Sequence, residues 1–160
     1  MNKILRLLSS GSGAATRSGD FGLALARAGF GLSIAIGHGY SKIFHDGIGP
    51  SQEMIKSVKG MGFPAPTLFA WLAALTEFAG GFLLAAGLLT RPVAFALVFN
   101  MAVAAFVAHK DAPFWSGSGP NKEFALLYLV GFAIFLFTGG GRYSMDALMR
   151  RRRDRLEEPA

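Results

Sequence analysis

Apolar residues fall in four long runs separated by polar, glycine- and proline-rich connections. The first reaches from Phe21 to Phe44, the second from Pro66 to Thr90, the third from Val93 to His109 and the fourth from Asn121 to Thr138. The second run holds twenty-five residues, enough at about 1.5 Å per residue to cross a hydrocarbon core of ~30 Å. It ends at Arg91-Pro92, read as a tight turn where the chain meets water. The pattern predicts an all-α, integral membrane four-helix bundle.

Within the second run, Ala70, Ala73, Ala74, Glu77, Gly80, Gly81, Leu84 and Gly87 share one side of a helix. Small residues let another helix come close, and Glu77 lies among them. A charge at that depth costs roughly 2.5–3.5 kcal/mol on insertion scales, so a partner or a wet cavity should accompany it. On the first helix Arg27, Gly31, Ala35, His38 and Lys42 fall within an arc of about 80°. A polar stripe in a membrane helix should face the bundle interior. Arg27 lies well inside the run and is expected to be buried, whereas Lys42, near the end, is expected to snorkel to the interface. The helical rise puts Arg27 and Glu77 about 9 Å and 18 Å from the cytoplasmic ends of their helices. An extended guanidinium spans that offset, so Arg27 and Glu77 are expected to form a buried pair. The pair is either a structural lock or, with Glu77 as proton carrier or headgroup anchor, a functional site.

Between the first two runs, Ser51 should cap a short amphipathic helix with Met54, Ile55, Val58 and Met61 on its apolar side. That helix would lie at the outer membrane boundary or act as a lid. Asn100 is the one mid-depth amide of the third run, suited to an interhelical hydrogen bond. Phe114 and Trp115 are suited to the headgroup level. Gly139-Gly140-Gly141-Arg142 breaks the fourth helix, and Ser144 caps a C-terminal interfacial helix with Asp146 in its first turn. Residues 1–20 read as a flexible cytoplasmic tail in which Ile4, Leu5, Leu7 and Leu8 could form a short interfacial turn.

Composition sharpens this picture. Hydrophobic residues make up 52% and charged ones 16% of the 160, with mean hydropathy +0.40, well under the ~25% charged fraction of soluble domains. The absence of cysteine excludes disulfides, zinc–thiolate sites, iron–sulfur clusters and dithiol motifs within this chain. A net charge of +6 owes much to Arg150, Arg151, Arg152, Arg153 and Arg155. A basic run beside an apolar segment points to anionic lipid rather than nucleic acid. Ten basic residues fall on the side of the termini and five on the other, with Arg27 in the membrane, so both termini are expected in the cytoplasm.

His38, Lys42, His109 and Glu123 should lie near the outer side. They read as interface residues or, with Asn100, as groups binding a quinone or other ligand. The two histidines are also the only pair placed for haem or metal ligation, and no metal site is assigned. No Ser/His/Asp set, paired carboxylates, phosphate loop or HExxH motif occurs.

Arg27 with His38-Gly39-Tyr40-Ser41-Lys42, Gly62-Phe63-Pro64, the Glu77 to Arg91 stretch and the closing Gly139 to Asp146 together resemble the DoxX family of small four-helix bacterial membrane proteins. The resemblance covers residues 20–147 and departs at Gly-Gly-Gly-Arg, where Gly-Pro-Gly-Arg would be expected. It implies an inner-membrane protein linked to respiratory or quinone redox chemistry or to oxidative stress, as a subunit or helper of a redox enzyme. Two other classes remain open. One is a small proton-coupled transporter using Glu77; the other is a non-catalytic anchor recruiting a partner through the basic tail. Four short helices enclose little volume, so self-association or a partner is expected.

Overall fold

The computed structural model describes residues 16–45, 47–115 and 121–157. The tail turn at Ile4 to Leu8 and the end of the Lys110–Pro120 connection lie outside these residues. Every element described is helical: α1 (Arg17–Phe44), α2 (Gln52–Gly60), α3 (Pro66–Ala86), α4 (Thr90–Ala108), α5 (Glu123–Thr138) and α6 (Met145–Glu157). Three of them, α1, α3 and α4, are long and apolar enough to cross a membrane, and α5 is a shorter apolar helix of 16 residues.

The helix ends follow from local chemistry. Thr16 caps α1 by accepting from the Gly19 N–H at 3.1 Å, and Ser51 caps α2 by accepting from Met54 N–H at 3.2 Å. Pro66 occupies the first turn of α3, where its missing N–H costs nothing. Gly87 ends α3 in the left-handed region at φ 71°, which a residue with Cβ adopts only with strain. The turn is therefore Gly87-Leu88-Leu89, not the expected Arg91-Pro92. Those two residues lie in the first turn of α4, where proline is tolerated.

α3 is the central element. It packs against α1 on one side and α4 on the other, and α4 packs in turn on α5; α1 and α5 touch only lightly. The buried side of α3 is Ala70, Ala74, Glu77, Gly80, Gly81 and Leu84. A Cβ on Gly31 would collide with the backbone of Gly81 and Ala85, and one on Gly39 with the backbone of Phe78. At these two levels α1 and α3 approach almost backbone to backbone, as small residues permit. The core between the other helices is Ile34, Leu84, Leu97, Met101, Phe132 and Phe135. The outer surface is apolar too: Phe21, Leu25, Phe95, Phe99, Leu127, Val130 and Phe137 are all exposed. A helix apolar on every side belongs in a bilayer.

One irregularity sets the register of α1. Ala35–Gly39 forms a π-turn, so the buried positions Gly31, Ala35, Gly39 and Ile43 keep to one side in unbroken steps of four, where a regular helix would drift by about 40° at each step. The inserted residue hands the α3-facing position to Gly39 and turns His38 outward.

Candidate functional site: a carboxylate-headed cavity

Two polar layers cross the bundle. The inner one lies at the end of α3. Arg27, buried on α1, donates through Nη1 to the carbonyls of Leu84, at 2.7 Å, and Ala85, and through Nη2 to that of Tyr143 at 3.0 Å. The carbonyls of a helix's last turn lack intrahelical partners, and the guanidinium supplies one. Gly87 makes the room, since a Cβ there would meet Arg27 Nη1 at 2.5 Å. Beside it the buried Asp146 carboxylate accepts from the N–H groups of Leu89 and Thr90, both at 2.9 Å, and from the Thr90 hydroxyl at 2.7 Å. Asp146 thereby caps α4, whose own preceding residue offers no side-chain cap. Asp20, also buried, pairs with Arg142 Nε at 3.4 Å. Ser144 accepts from Ala147 N–H at 3.1 Å and so caps α6.

The second layer is built around Glu77. It is 2% exposed, and its Oε1 accepts from Lys42 Nζ at 2.5 Å and from Asn100 Nδ2 at 3.0 Å. Its Oε2 is buried with no hydrogen-bond partner among the described residues. Glu77 lines a cavity of about 530 Å³ between α2, α3 and α4. Lys42, Ser57, Thr76, Asn100 and His109 supply the other polar groups of its lining, while Phe63, Phe69 and the largely exposed Phe95 and Phe99 border it with aromatic rings. Met54 and Val58 of α2, with Met61 just after it, close one side. A smaller recess of about 410 Å³, lined by Ser41, Lys42, His45, Gly49, Ser51 and Met54, meets the cavity at Lys42.

The expected Arg27–Glu77 pair does not form. Both residues are buried, but Arg27 is held at the level of Leu84, seven residues past Glu77 on α3, which is about 10 Å along the axis. Its place is taken by Lys42, expected to snorkel outward but turned instead to the carboxylate, with its side chain 33% exposed. Asn100 makes the interhelical bond expected of it, and the acceptor is Glu77.

Of the outer-side residues, Lys42, Asn100 and His109 come together at the cavity, whereas His38 and Glu123 do not line it. His38 is exposed and packs its ring against Phe124 and Tyr128 of α5. Glu123 opens α5, its N–H donating to Asn121 Oδ1 at 3.0 Å. The two histidines thus serve different surfaces, and no cluster of three His, Asp or Glu side chains arranged for a metal ion occurs among the described residues. Arg151, Arg152 and Arg155 are exposed on α6, with Arg150 and Arg153 partly covered.

Sequence reasoning missed Asp20 and the second role of Asp146, because each acts on a segment more than fifty residues away. It also missed the aromatic walls of the cavity, whose residues come from separate helices and the loop before α3.

Compared with known proteins, the chain matches the DoxX family over residues 22–110, more than half its length. No curated protein and no solved structure matches it. The matched segment contains α1 to α4 almost entire, and with them Arg27, Lys42, Glu77, Asn100 and His109. This apolar, all-helical chain is a membrane protein that belongs to the DoxX family.

Proposed function

We propose that this protein is the membrane subunit or helper of a redox system working near the quinone pool or in oxidative-stress defence, and that it holds a quinone-class amphiphile in the Glu77 cavity. The observation that carries the reading is the cavity itself. About 530 Å³ with aromatic walls and a few polar groups at one end fits the size and character of small-molecule sites. A ring with an apolar tail matches such walls, and its oxygen substituents match Lys42, Glu77 and Asn100. Because the chain has no cysteine, electrons would travel through that bound carrier or a partner's cofactor.

The placement follows the same reading. The protein is a four-crossing protein of the bacterial inner membrane, α5 completing the bundle and both termini facing the cytoplasm. The apolar positions Met145, Leu148, Met149 and Leu156, exposed on α6, lie against the bilayer with Arg150, Arg151, Arg152, Arg153 and Arg155 at anionic headgroups. A redox-enzyme partner or a second copy covers part of the outer surface.

The test is purification in mild detergent, followed by solvent extraction and identification of what copurifies. A quinone or its quinol near one per chain, with the quinol lost in Glu77→Gln, is expected. Absence of any quinone or quinol from the extract, together with no binding of added decylubiquinone or decylubiquinol, overturns the reading. The recess meeting the cavity at Lys42 favours a second reading, proton-coupled transport through Glu77, whose mark would be proton-dependent uptake in liposomes that vanishes in the same variant.

A further inference from the structure

At the polar end of the cavity the donors and acceptors do not balance. Lys42 and Asn100 both donate to the same carboxylate oxygen, Oε1 of Glu77. A carboxylate offers about four acceptor positions across its two oxygens, yet Oε2 is buried and accepts nothing among the described residues. Lys42 is a third exposed and also lines the outer recess, so its remaining N–H groups can reach water. A buried acceptor without a donor is costly, and since Glu77 lines the cavity, a hydroxyl donor entering with a ligand would satisfy it.

The surroundings narrow the ligand further. Lys42 and Glu77 form a pair of opposite charges, so the head of the cavity has no net charge for a charged ligand to neutralise. An anionic head would stand against the carboxylate. Phe63 and Phe69 lie with ring centroids 4.7 Å apart, and with Phe95 and Phe99 they form walls suited to another flat ring. Met54 and Met61 adapt to its outline.

We propose that the Glu77 cavity takes a neutral, ring-bearing amphiphile whose polar end donates a hydrogen bond to Glu77 Oε2. A phenol or hydroquinone hydroxyl is therefore bound in preference to the corresponding carbonyl or ether. This rests on the cavity being the ligand site proposed above and goes beyond it by naming the form of ligand held. For a quinone-class carrier the consequence is that the reduced, hydroxyl-bearing form is retained and the oxidised form released.

The test uses two probes with the same ring and tail, 4-pentylphenol and 4-pentylanisole, which differ in the hydroxyl hydrogen. Each is titrated calorimetrically into the full chain in lipid nanodiscs, with empty nanodiscs as blank. A hydrogen bond to a charged acceptor predicts the phenol to bind about 10–100-fold tighter. In Glu77→Gln, Lys42 and Asn100 keep the amide oxygen and an N–H stands where Oε2 was, so the preference disappears or reverses. Ala73→Phe, which fills the cavity from its wall, abolishes binding of both. Equal affinity of the two probes for the unmodified protein, or tighter binding of the anisole, overturns the assignment of a donor while the cavity reading stands. That ratio does not depend on whether the variants fold. No binding of either probe, nor of decylubiquinone or decylubiquinol, overturns both.

Discussion

Asp146 is expected to hold together this end of the bundle, and Asp146→Ala is the substitution that tests it. Its carboxylate accepts two backbone N–H groups and one hydroxyl, at 2.7–2.9 Å, from the first turn of α4 and the residue before it. Leu89 is half exposed and Thr90 1% exposed, so water can rescue the Leu89 N–H but neither donor of Thr90. Two stranded buried donors at ~1–3 kcal/mol each give a loss of about 3 kcal/mol. Asparagine with its amide oxygen in the place of Oδ2 keeps both Thr90 donors and should lose less, so the figure is for alanine. For a chain of this size each kcal/mol corresponds to about 2–4 °C, which predicts a fall in Tm of roughly 6–12 °C. The assay is thermal unfolding in one fixed detergent, followed by the fluorescence of Trp71 and Trp115. Asp154→Asn, exposed on the same helix, serves as control and should stay within about 0.5 kcal/mol. If Asp146→Ala unfolds within about 2 °C of the unmodified protein, Asp146 does not cap α4 in any energetic sense.

Three further outcomes can be checked. Gly39→Ala, whose Cβ would meet the Phe78 backbone, should cost about 1–3 kcal/mol by forcing α1 off α3; Gly37→Ala, with open space around it, should be neutral or gain up to ~1 kcal/mol, and equal effects in the same melting assay would refute the close approach. Lys42→Met strands the Glu77 carboxylate and should destabilise by about 3–5 kcal/mol, whereas Lys42→Met with Glu77→Leu should restore most of that; a double variant no more stable than the single one refutes the pairing. Since the chain has no cysteine, Lys56→Cys and Asp154→Cys can each be probed with a membrane-impermeant maleimide on intact spheroplasts. Labelling of Lys56→Cys alone is expected, and labelling of Asp154→Cys would reverse the proposed orientation.

The side of α3 that meets its neighbours could be read from sequence, because small residues at helical spacing have few other uses in an apolar run. The partners of its carboxylate could not. Placing Arg27 opposite Glu77 assumed that α3 runs to Thr90, and Gly87 ends it earlier. That end leaves the Ala85 carbonyl without an intrahelical donor, and it captures the guanidinium together with the Leu84 carbonyl, which also accepts from Gly87 N–H at 2.9 Å. A glycine followed by three apolar or small residues hides its own stop signal. The π-turn at Ala35–Gly39 likewise has no composition that announces it, yet it decides that Gly39 faces α3 and His38 faces α5. Asp20 and Arg142 are 122 positions apart, a separation across which pattern has nothing to say.

The two polar layers differ in where their partners come from. At the first, both Nη atoms of Arg27 and both carboxylate oxygens of Asp146 are held largely by backbone groups at helix ends, and Arg27 Nε is buried with no partner among the described residues. Such a layer fixes how the chain turns, and neither residue lines the cavity. At the Glu77 layer the same kind of apolar surrounding encloses a carboxylate whose two donors crowd onto one oxygen and whose other oxygen faces no donor. A fold optimised for rigidity alone could have filled that space with leucine at no electrostatic cost. It instead keeps an acid, an amide and an amine at the head of an aromatic-walled cavity, and the energy left unrealised there becomes available when a hydroxyl arrives. On the proposed reading, the deep charge that makes α3 expensive to insert is half of an interaction, whose other half a bound hydroxyl would bring.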